Sequence, residues 1–280
     1  MFRKFIYLSF CISMLLTACN EGSDRQSNTE DSSENMAQFA KDTKFKEAHE
    51  IPAKINFEGK GKMISFPTPD GRQGSAYFVK TEESSQKYLF ISHEWWGLND
   101  FIKRESDRLF DALGDANVLA LDLYDGNVAD NRDDAGKFMS AVKQERAEAI
   151  IEGALKYAGQ DAKIGSIGWC FGGGWSLRTS ILAGKQGVGC VMFYGLPVKN
   201  AKELMPLQAD ILGLFAKKDD WINEKVVGAF EALTKATGKK MEVHWFDAAH
   251  AFANPTSPRY NENAARKANK LALDFLKARL

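Results

Sequence analysis

The chain has 280 residues, of which 44% are hydrophobic and 26% charged, a composition that is ordinary for a globular protein with a full core. Lysine plus arginine and aspartate plus glutamate number 37 each, so the formal net charge is zero. This balance argues against nucleic acid or an anionic lipid surface as a partner, because both attract strongly basic proteins.

The first 18 residues have the pattern of a signal peptide. Two basic residues, Arg3 and Lys4, precede a mostly apolar run over 5–16 that is short for a membrane span. The next residues, LTAC, end at Cys19 and resemble the lipobox of bacterial lipoproteins, in which cleavage leaves the cysteine as a lipidated N-terminus. We therefore expect a lipid anchor on Cys19; the alternative is an ordinary secreted protein with an incidental cysteine.

The residue after this cysteine bears on where the protein resides. It is Asn20 rather than aspartate, and by the same resemblance this favours the outer membrane, with the protein facing the periplasm. Residues 20–35 contain no apolar side chain, so they predict a flexible tether that holds the protein on the membrane only through its anchor. We place this lipidated N-terminus and tether at 19–60, with one helix around Met36–His49.

A regular pattern of strands and helices begins at residue 61. The runs MISF and GSAYFVK, separated by proline, aspartate and glycine, predict a hairpin. Six further short apolar runs predict strands: YLFIS (88–92), NVLALDL (117–123), KIGSIG (163–168), GVGCVMFYG (187–195), DILGLFA (210–216) and KMEVHWF (240–246). Amphipathic helices are predicted from Arg132 to Ala158 and near the C-terminus. Alternating strands and helices indicate one α/β domain over 61–280, with a mostly parallel sheet covered on both faces.

The stretch GWCFGGG places Cys170 between a predicted strand and a predicted helix. A small residue on either side of a nucleophile, here Gly168 and Gly172, is typical of the sharp turn called a nucleophile elbow. The N-terminus of the following helix supplies N–H groups that stabilise a thiolate or an oxyanion. A phosphate-binding loop is the alternative, but no Lys-Ser/Thr pair follows and no GxGxxG register fits.

The order of an α/β-hydrolase places an acid and then a histidine after the nucleophile. His244 lies within a predicted strand and is interpreted as structural, whereas His250 follows that strand in a loop, where a general base would stand. The acid should follow the preceding strand, and both Asp219 and Asp220 do so. We choose Asp219, because an apolar pair then follows the acid as in such hydrolases; Asp220 would cap the next helix.

A fourth candidate, Glu94, lies just beyond the strand YLFIS and beside Trp95 and Trp96. The usual glutamate is a surface carboxylate. A carboxylate pressed among tryptophans would instead have its pKa raised by desolvation, and would accept a proton near neutral pH. We therefore expect Glu94 in the site.

Three spaced motifs, HEWWGLND, GWCFGGGWSL and HAFANP, together resemble the dienelactone hydrolases (carboxymethylenebutenolidases) of the α/β-hydrolase superfamily. The similarity runs from about residue 61 to the C-terminus. It implies an α/β-hydrolase fold and a Cys-His-Asp triad, with Cys170 as nucleophile, His250 as base and acid, and Asp219 as its orienter. It also implies that Glu94 pairs with the thiol and helps to activate it.

The same resemblance implies that the backbone N–H groups of Trp95 and Phe171 form the oxyanion hole. One position departs from the pattern. Dienelactone-cleaving members hold the substrate carboxylate with arginine, including one shortly after the Phe of the histidine motif, and Asn254 stands there in this chain. A lactone that bears a carboxylate is therefore not the substrate expected.

Together these features predict an exported monomeric hydrolase of small esters or lactones that acts through an acyl-enzyme and needs no cofactor or metal. A second hypothesis is a non-catalytic ligand-binding lipoprotein that retains the fold. A third is a thiol redox protein that pairs Cys170 with Cys190, although the chain lacks a Cys-x-x-Cys motif.

Overall fold

The computed structural model describes residues 1–2, 36–52 and 55–280; the predicted signal peptide, Cys19 and tether residues 20–35 lie almost wholly outside this part of the chain. The centre is an eight-stranded sheet, whose strands in chain order are β1 (Lys62–Pro67), β2 (Gln73–Val79), β3 (Lys87–Ser92), β4 (Asn117–Leu121), β5 (Lys163–Trp169), β6 (Gly187–Phe193), β7 (Asp210–Lys218) and β8 (Met241–Ala249).

The strands lie in the order β1-β2-β4-β3-β5-β6-β7-β8. The predicted hairpin is confirmed, because β1 pairs with β2 in antiparallel fashion, and β2 also pairs antiparallel with β4. All other neighbouring pairs are parallel. The carboxyl ends of the parallel strands therefore meet at one edge, where ligands bind in open α/β sheets.

Helices flank the sheet. In chain order the α-helices are α1 (Thr43–Glu47), α2 (Asp100–Leu113), α3 (Arg132–Ala141), α4 (Gln144–Ala158), α5 (Phe171–Ala183), α6 (Ala201–Leu204), α7 (Glu224–Ala236) and α8 (Glu262–Lys277), with 3-10 turns at Met36–Phe39 and Gly184–Gln186. None of the helices in the described ranges has the length and apolar character needed to cross a bilayer.

Neighbouring residues of the central strand β5 show that both faces are covered. The Ser166 hydroxyl bonds to Ser176 of α5, whereas a Cβ on Gly165 would lie against Leu276 of α8. Successive residues of a strand point to opposite faces. Helices α5 and α8 therefore cover opposite faces, as the predicted fold requires.

The single helix predicted from Arg132 to Ala158 is wrong, since the chain breaks it into α3 and α4. Val142 adopts an extended conformation, with ψ 117°, and ends α3. Its β-branched side chain has a low helix propensity. Helix α4 then begins at Gln144, which places Arg146 in its first turn, where the guanidinium binds Asp70 and Asp125.

The segment 36–49 differs from the flexible tether expected over 19–60. Met36 and Phe45 are fully buried, and Asp42 caps α1 by accepting from the backbone N–H groups of Lys44 and Phe45. One compact unit accordingly spans Ser32–Leu280 rather than beginning near residue 61. The apolar side chains of this short segment contact the carboxyl edge of the sheet, and this contact orders it.

Candidate active site

Cys170 occupies the sharp turn that the glycine pattern predicts, between the end of β5 and the start of α5. Its backbone has φ 55° and ψ −118°, a strained conformation for a residue with a side chain. The turn is possible because Gly168 and Gly172 lie in contact: a Cβ on Gly168 would come within 2.0 Å of the Gly172 carbonyl oxygen. The strained turn aims the Cys170 side chain at the carboxyl edge of the sheet.

The predicted histidine and acid meet at the same edge. His250 follows β8 directly, and its Nδ1 donates to Asp219 Oδ2 over 2.6 Å, with both side chains wholly buried. The other carboxylate oxygen accepts from the backbone N–H groups of Trp221 and Ile222, each at 2.9 Å. Asp220 is exposed, and it does not cap α7, since Asn223 takes that place.

The hydrogen bonds and charge around Asp219 keep its carboxylate ionised. Burial opposes the charged form, but the charge and hydrogen bond of His250, with the two backbone donors, outweigh it and lower the pKa of Asp219 below 3.8. A carboxylate on Nδ1 fixes the tautomer of His250, so that Nε2 carries the free lone pair. This Nε2 is buried and has no hydrogen-bond partner among the described residues.

The Cys170 thiol is 1% exposed, and in the folded chain it is neutral. Burial raises its pKa well above 9.0, and the charge of Glu94 raises it further, while the N–H of Phe171 acts in the opposite direction. The Sγ atom lies within 4.8 Å of a ring nitrogen of His250. Phe171 is the first residue of α5, where backbone N–H groups have no partner within the helix.

Glu94 behaves as its tryptophan-rich motif predicts. Burial raises its pKa to about 7, although a hydrogen bond donated by Asn254 Nδ2 acts to lower it. This bond involves the position at which the sequence departs from the arginine of the dienelactone-cleaving pattern. Glu94 and Asn254, with Trp96 and Trp169, line a cavity of about 470 Å³ that opens beside the site.

One residue of the site, His49, was missed by the sequence analysis. Its Nε2 lies 3.9 Å from Cys170 Sγ, and its Nδ1 bonds to the Phe45 carbonyl over 2.7 Å. Burial, and then the charge interaction with His250, lower the pKa of His49 to about 3, so its ring is neutral. A capping Asp42 and apolar residues at helical spacing were the available signal, but His49 precedes Cys170, whereas the α/β-hydrolase order places the histidine after the nucleophile.

The side chain of Phe45 covers the site. Its ring centroid lies 5.5 Å from that of Trp95, 5.2 Å from that of Trp221 and 5.9 Å from that of His250. The indole N–H of Trp221 also donates to Asp42 in the same segment. The segment 36–49 thus closes the carboxyl edge over the thiol.

The family model named "Dienelactone hydrolase family" matches residues 75–280, which is more than half of the chain. The chain belongs to the dienelactone hydrolase family. A carboxymethylenebutenolidase of Pseudomonas putida is 28% identical over 230 residues, covering 76% of this chain and 94% of that one. The carboxymethylenebutenolidase 1 of Cupriavidus pinatubonensis is 22% identical over 227 residues, covering 76% and 95%.

Solved structures agree on the fold. A dienelactone hydrolase-like promiscuous phosphotriesterase from metagenomic libraries superposes with a TM-score of 0.67 at 19% identity, covering 79% of this chain and 99% of that one. The α/β-hydrolase fold predicted from sequence is therefore confirmed, and this dienelactone hydrolase family member is a hydrolase. The covering segment 36–49 precedes the region that the family model matches.

The remaining predicted residues can also be located. Trp95 is fully buried beside Phe45, and its carbonyl accepts from the Tyr124 hydroxyl at 3.2 Å. Cys170 and Cys190 are both free and buried, with Cys190 within β6, where its Sγ contacts the Ser176 hydroxyl. The structure therefore contains no Cys170–Cys190 disulfide, whereas the oxidised form of a redox protein that pairs these cysteines would contain one.

Proposed function

We propose that this hydrolase cleaves small esters or lactones, with Cys170 as nucleophile, His250 as general base and acid, and Asp219 as the residue that orients the imidazole. One observation carries the proposal. The hydrogen bond from His250 to Asp219 leaves Nε2 of His250 without a partner among the described residues, and a ring nitrogen of His250 lies within 4.8 Å of a thiol that stands on a strained elbow.

The reaction follows from these positions. Nε2 of His250 takes the thiol proton as Cys170 Sγ attacks the substrate carbonyl, and the carbonyl oxygen becomes an oxyanion. The backbone N–H groups of Phe171 and Trp95 are the proposed donors to this oxygen. The imidazolium then gives its proton to the departing alkoxide, leaving an S-acyl enzyme. Water attacks this thioester, with His250 as base, and releases the acid and the thiol.

Glu94 has a proposed role in holding the thiol at rest. Its charge favours the neutral form of Cys170, and its own pKa of about 7 lets it exchange a proton near neutral pH. We propose that a substrate in the adjoining cavity changes this balance and frees the thiolate. A resting thiol of this kind is poorly nucleophilic, which protects it from oxidation outside the cytoplasm.

The residue at position 254 favours a neutral substrate, while Arg104 and Arg108 also line the cavity. Asn254 brings no positive charge to the place where dienelactone-cleaving relatives have arginine, and its amide is already engaged by Glu94. The mostly apolar walls suit the hydrocarbon part of a small ester or lactone. We propose that the protein meets such substrates in the periplasm, held to the outer membrane through lipidated Cys19; mass spectrometry of the mature N-terminus tests this anchor.

A panel of esters and lactones, assayed with the wild type and Cys170→Ala, tests the catalytic proposal. Cys190→Ala is the matched control, because it removes a buried thiol away from the site. We expect hydrolysis by the wild type and the control, and none above background with Cys170→Ala. A fully active Cys170→Ala would exclude the nucleophile. A wild type inactive on the whole panel would favour a ligand-binding protein.

A further inference from the structure

Three potential metal ligands converge beneath Phe45. They are Cys170 Sγ and one ring nitrogen each of His49 and His250, and these atoms all lie within 4.8 Å of one another. The three side chains are buried, and they come from three distant parts of the chain. His49 adds a second imidazole that the hydrolytic reaction does not use.

Hydrogen bonds fix both imidazoles with Nε2 turned inward. Nδ1 of His49 donates to the Phe45 carbonyl, and Nδ1 of His250 donates to the Asp219 carboxylate. Each Nε2 therefore carries a lone pair, one of them 3.9 Å from Sγ and the other without a partner in the described residues. Metal-binding histidines are held in the same way, by a carbonyl or carboxylate on the outer ring nitrogen.

We propose that His49, Cys170 and His250 form a zinc site, and that the bound ion blocks the hydrolytic nucleophile. Two imidazoles and one thiolate are a donor set that zinc prefers, with a fourth position left for water or another small ligand. The rings of Phe45, Trp95 and Trp221 would enclose the ion and keep bulk water away.

The site needs only a small contraction to bind the ion. Zinc lies ~2.0–2.1 Å from nitrogen and ~2.3 Å from sulfur, so tetrahedral ligand atoms are about 3.3–3.6 Å apart. The present separations, all within 4.8 Å, exceed this by about 1.5 Å at most. Binding replaces the S–H bond of Cys170 by a sulfur–zinc bond and releases one proton to solvent, so that no oxidant or reductant is required. The sulfur lone pair that attacks the carbonyl is then occupied.

Titration of the purified chain with Zn²⁺, and with Co²⁺ as a spectroscopic probe, tests this site. We expect one zinc ion per chain, a near-ultraviolet thiolate-to-cobalt band, and ester cleavage that zinc inhibits and a chelator restores. His49→Gln keeps the size of the side chain but lacks the imidazole. Loss of a residue that only hydrogen-bonds to a metal ligand weakens metal binding by roughly 10–100-fold. Because His49 is itself a proposed ligand, the zinc dissociation constant of His49→Gln should rise by more than this. Any hydrolysis it retains should resist zinc.

His244→Gln is the matched control, because His244 is a partly exposed histidine that pairs with Glu242 on β8. It should bind zinc as the wild type does. The site would be overturned if a folded His49→Gln bound zinc as tightly as the wild type. It would also be overturned if the wild type bound no stoichiometric ion and showed no cobalt–thiolate band. If His49→Gln does not fold, Cys170→Ser tests the sulfur ligand instead, and a thiolate-to-cobalt band that persists in this variant would overturn the site. Binding is measured without substrate, so a lack of ester cleavage would count only against the proposed function.

Discussion

The 2.6 Å hydrogen bond between His250 and Asp219 lies wholly inside the protein and joins two side chains 31 residues apart. Two backbone N–H groups hold the same carboxylate, so its position and charge are both fixed. The bond determines which ring nitrogen of His250 faces the thiol. The proposed base is therefore oriented before any substrate arrives.

Replacing Asp219 tests this orientation. In Asp219→Asn the amide can stabilise the wrong tautomer of His250, and we expect kcat to fall by about 10³–10⁴-fold, the loss typical of such triads. Asp220→Asn alters the exposed neighbouring carboxylate and should retain kcat within about twofold. Steady-state kinetics of both variants give the comparison. A larger effect at Asp220 would assign the acid to the other residue.

Glu94 should control the titration of the thiol. Its negative charge raises the pKa of Cys170, so Glu94→Gln should lower that pKa and move the alkylation profile to lower pH. The rate of iodoacetamide reaction, followed against pH with a chelator present, measures the shift. Glu105→Gln is the control, since Glu105 lines the same cavity but pairs with Arg108. Coincident profiles for wild type and Glu94→Gln would remove Glu94 from the proposed activation.

Phe45 should limit access to the thiol. Phe45→Ala removes the ring that packs on Trp95, Trp221 and His250, and leaves space for a reagent beside Cys170. At a given pH we expect alkylation of Cys170 to be at least tenfold faster than in the wild type. A decrease of about 1.4 kcal/mol in the free energy needed to expose the thiol gives a tenfold increase in rate. Phe57→Ala, which loses a ring packed on Tyr77, is the control. An unchanged rate would mean that another element covers the thiol.

The neutral state of His49 makes the stability of the folded chain fall at acid pH. Its pKa falls from 6.5 in the unfolded chain to about 3 in the folded one, so the unfolded chain takes up a proton first as the pH drops. Stability from this group is complete above pH ~6.5 and is lost below it, by about 2 kcal/mol on reaching pH ~5.

Denaturant unfolding of wild type and His49→Gln in chelator, at several pH values, measures this loss. The difference in the free energy of unfolding should narrow towards acid pH by that amount. His244→Gln, which replaces a partly exposed histidine away from the thiol, is measured beside it as the control. A constant difference across the range would mean that the pKa of His49 is the same in the folded and the unfolded chain.

Local rules account for the positions of the residues in the proposed site. The glycines around Cys170, the strand before His250 and the pair Asp219–Asp220 each follow from a few neighbouring residues, and parallel strands bring such ends together. The direction of the Glu94 pKa shift followed from its tryptophan neighbours. The choice between Asp219 and Asp220 rested on the family pattern, and the geometry agrees with it.

What sequence reasoning missed depends on contacts between distant residues. His49 meets Cys170 across 121 positions, and nothing near either residue reports that contact. The break at Val142 also brings Arg146 to Asp70 and Asp125, and the helical periodicity, which continues across the break, does not report these contacts. Tertiary contacts of this kind override local propensity.

The covering segment 36–49 has a further consequence because it lies before the region shared with the family. The strands of the sheet, which position Cys170, Asp219 and His250, contain no residue of this segment. Changes in this stretch would therefore alter which molecules reach the thiol, and how readily, while the hydrolase core kept its shape. Access to the thiol and the chemistry of the site therefore depend on different stretches of the chain.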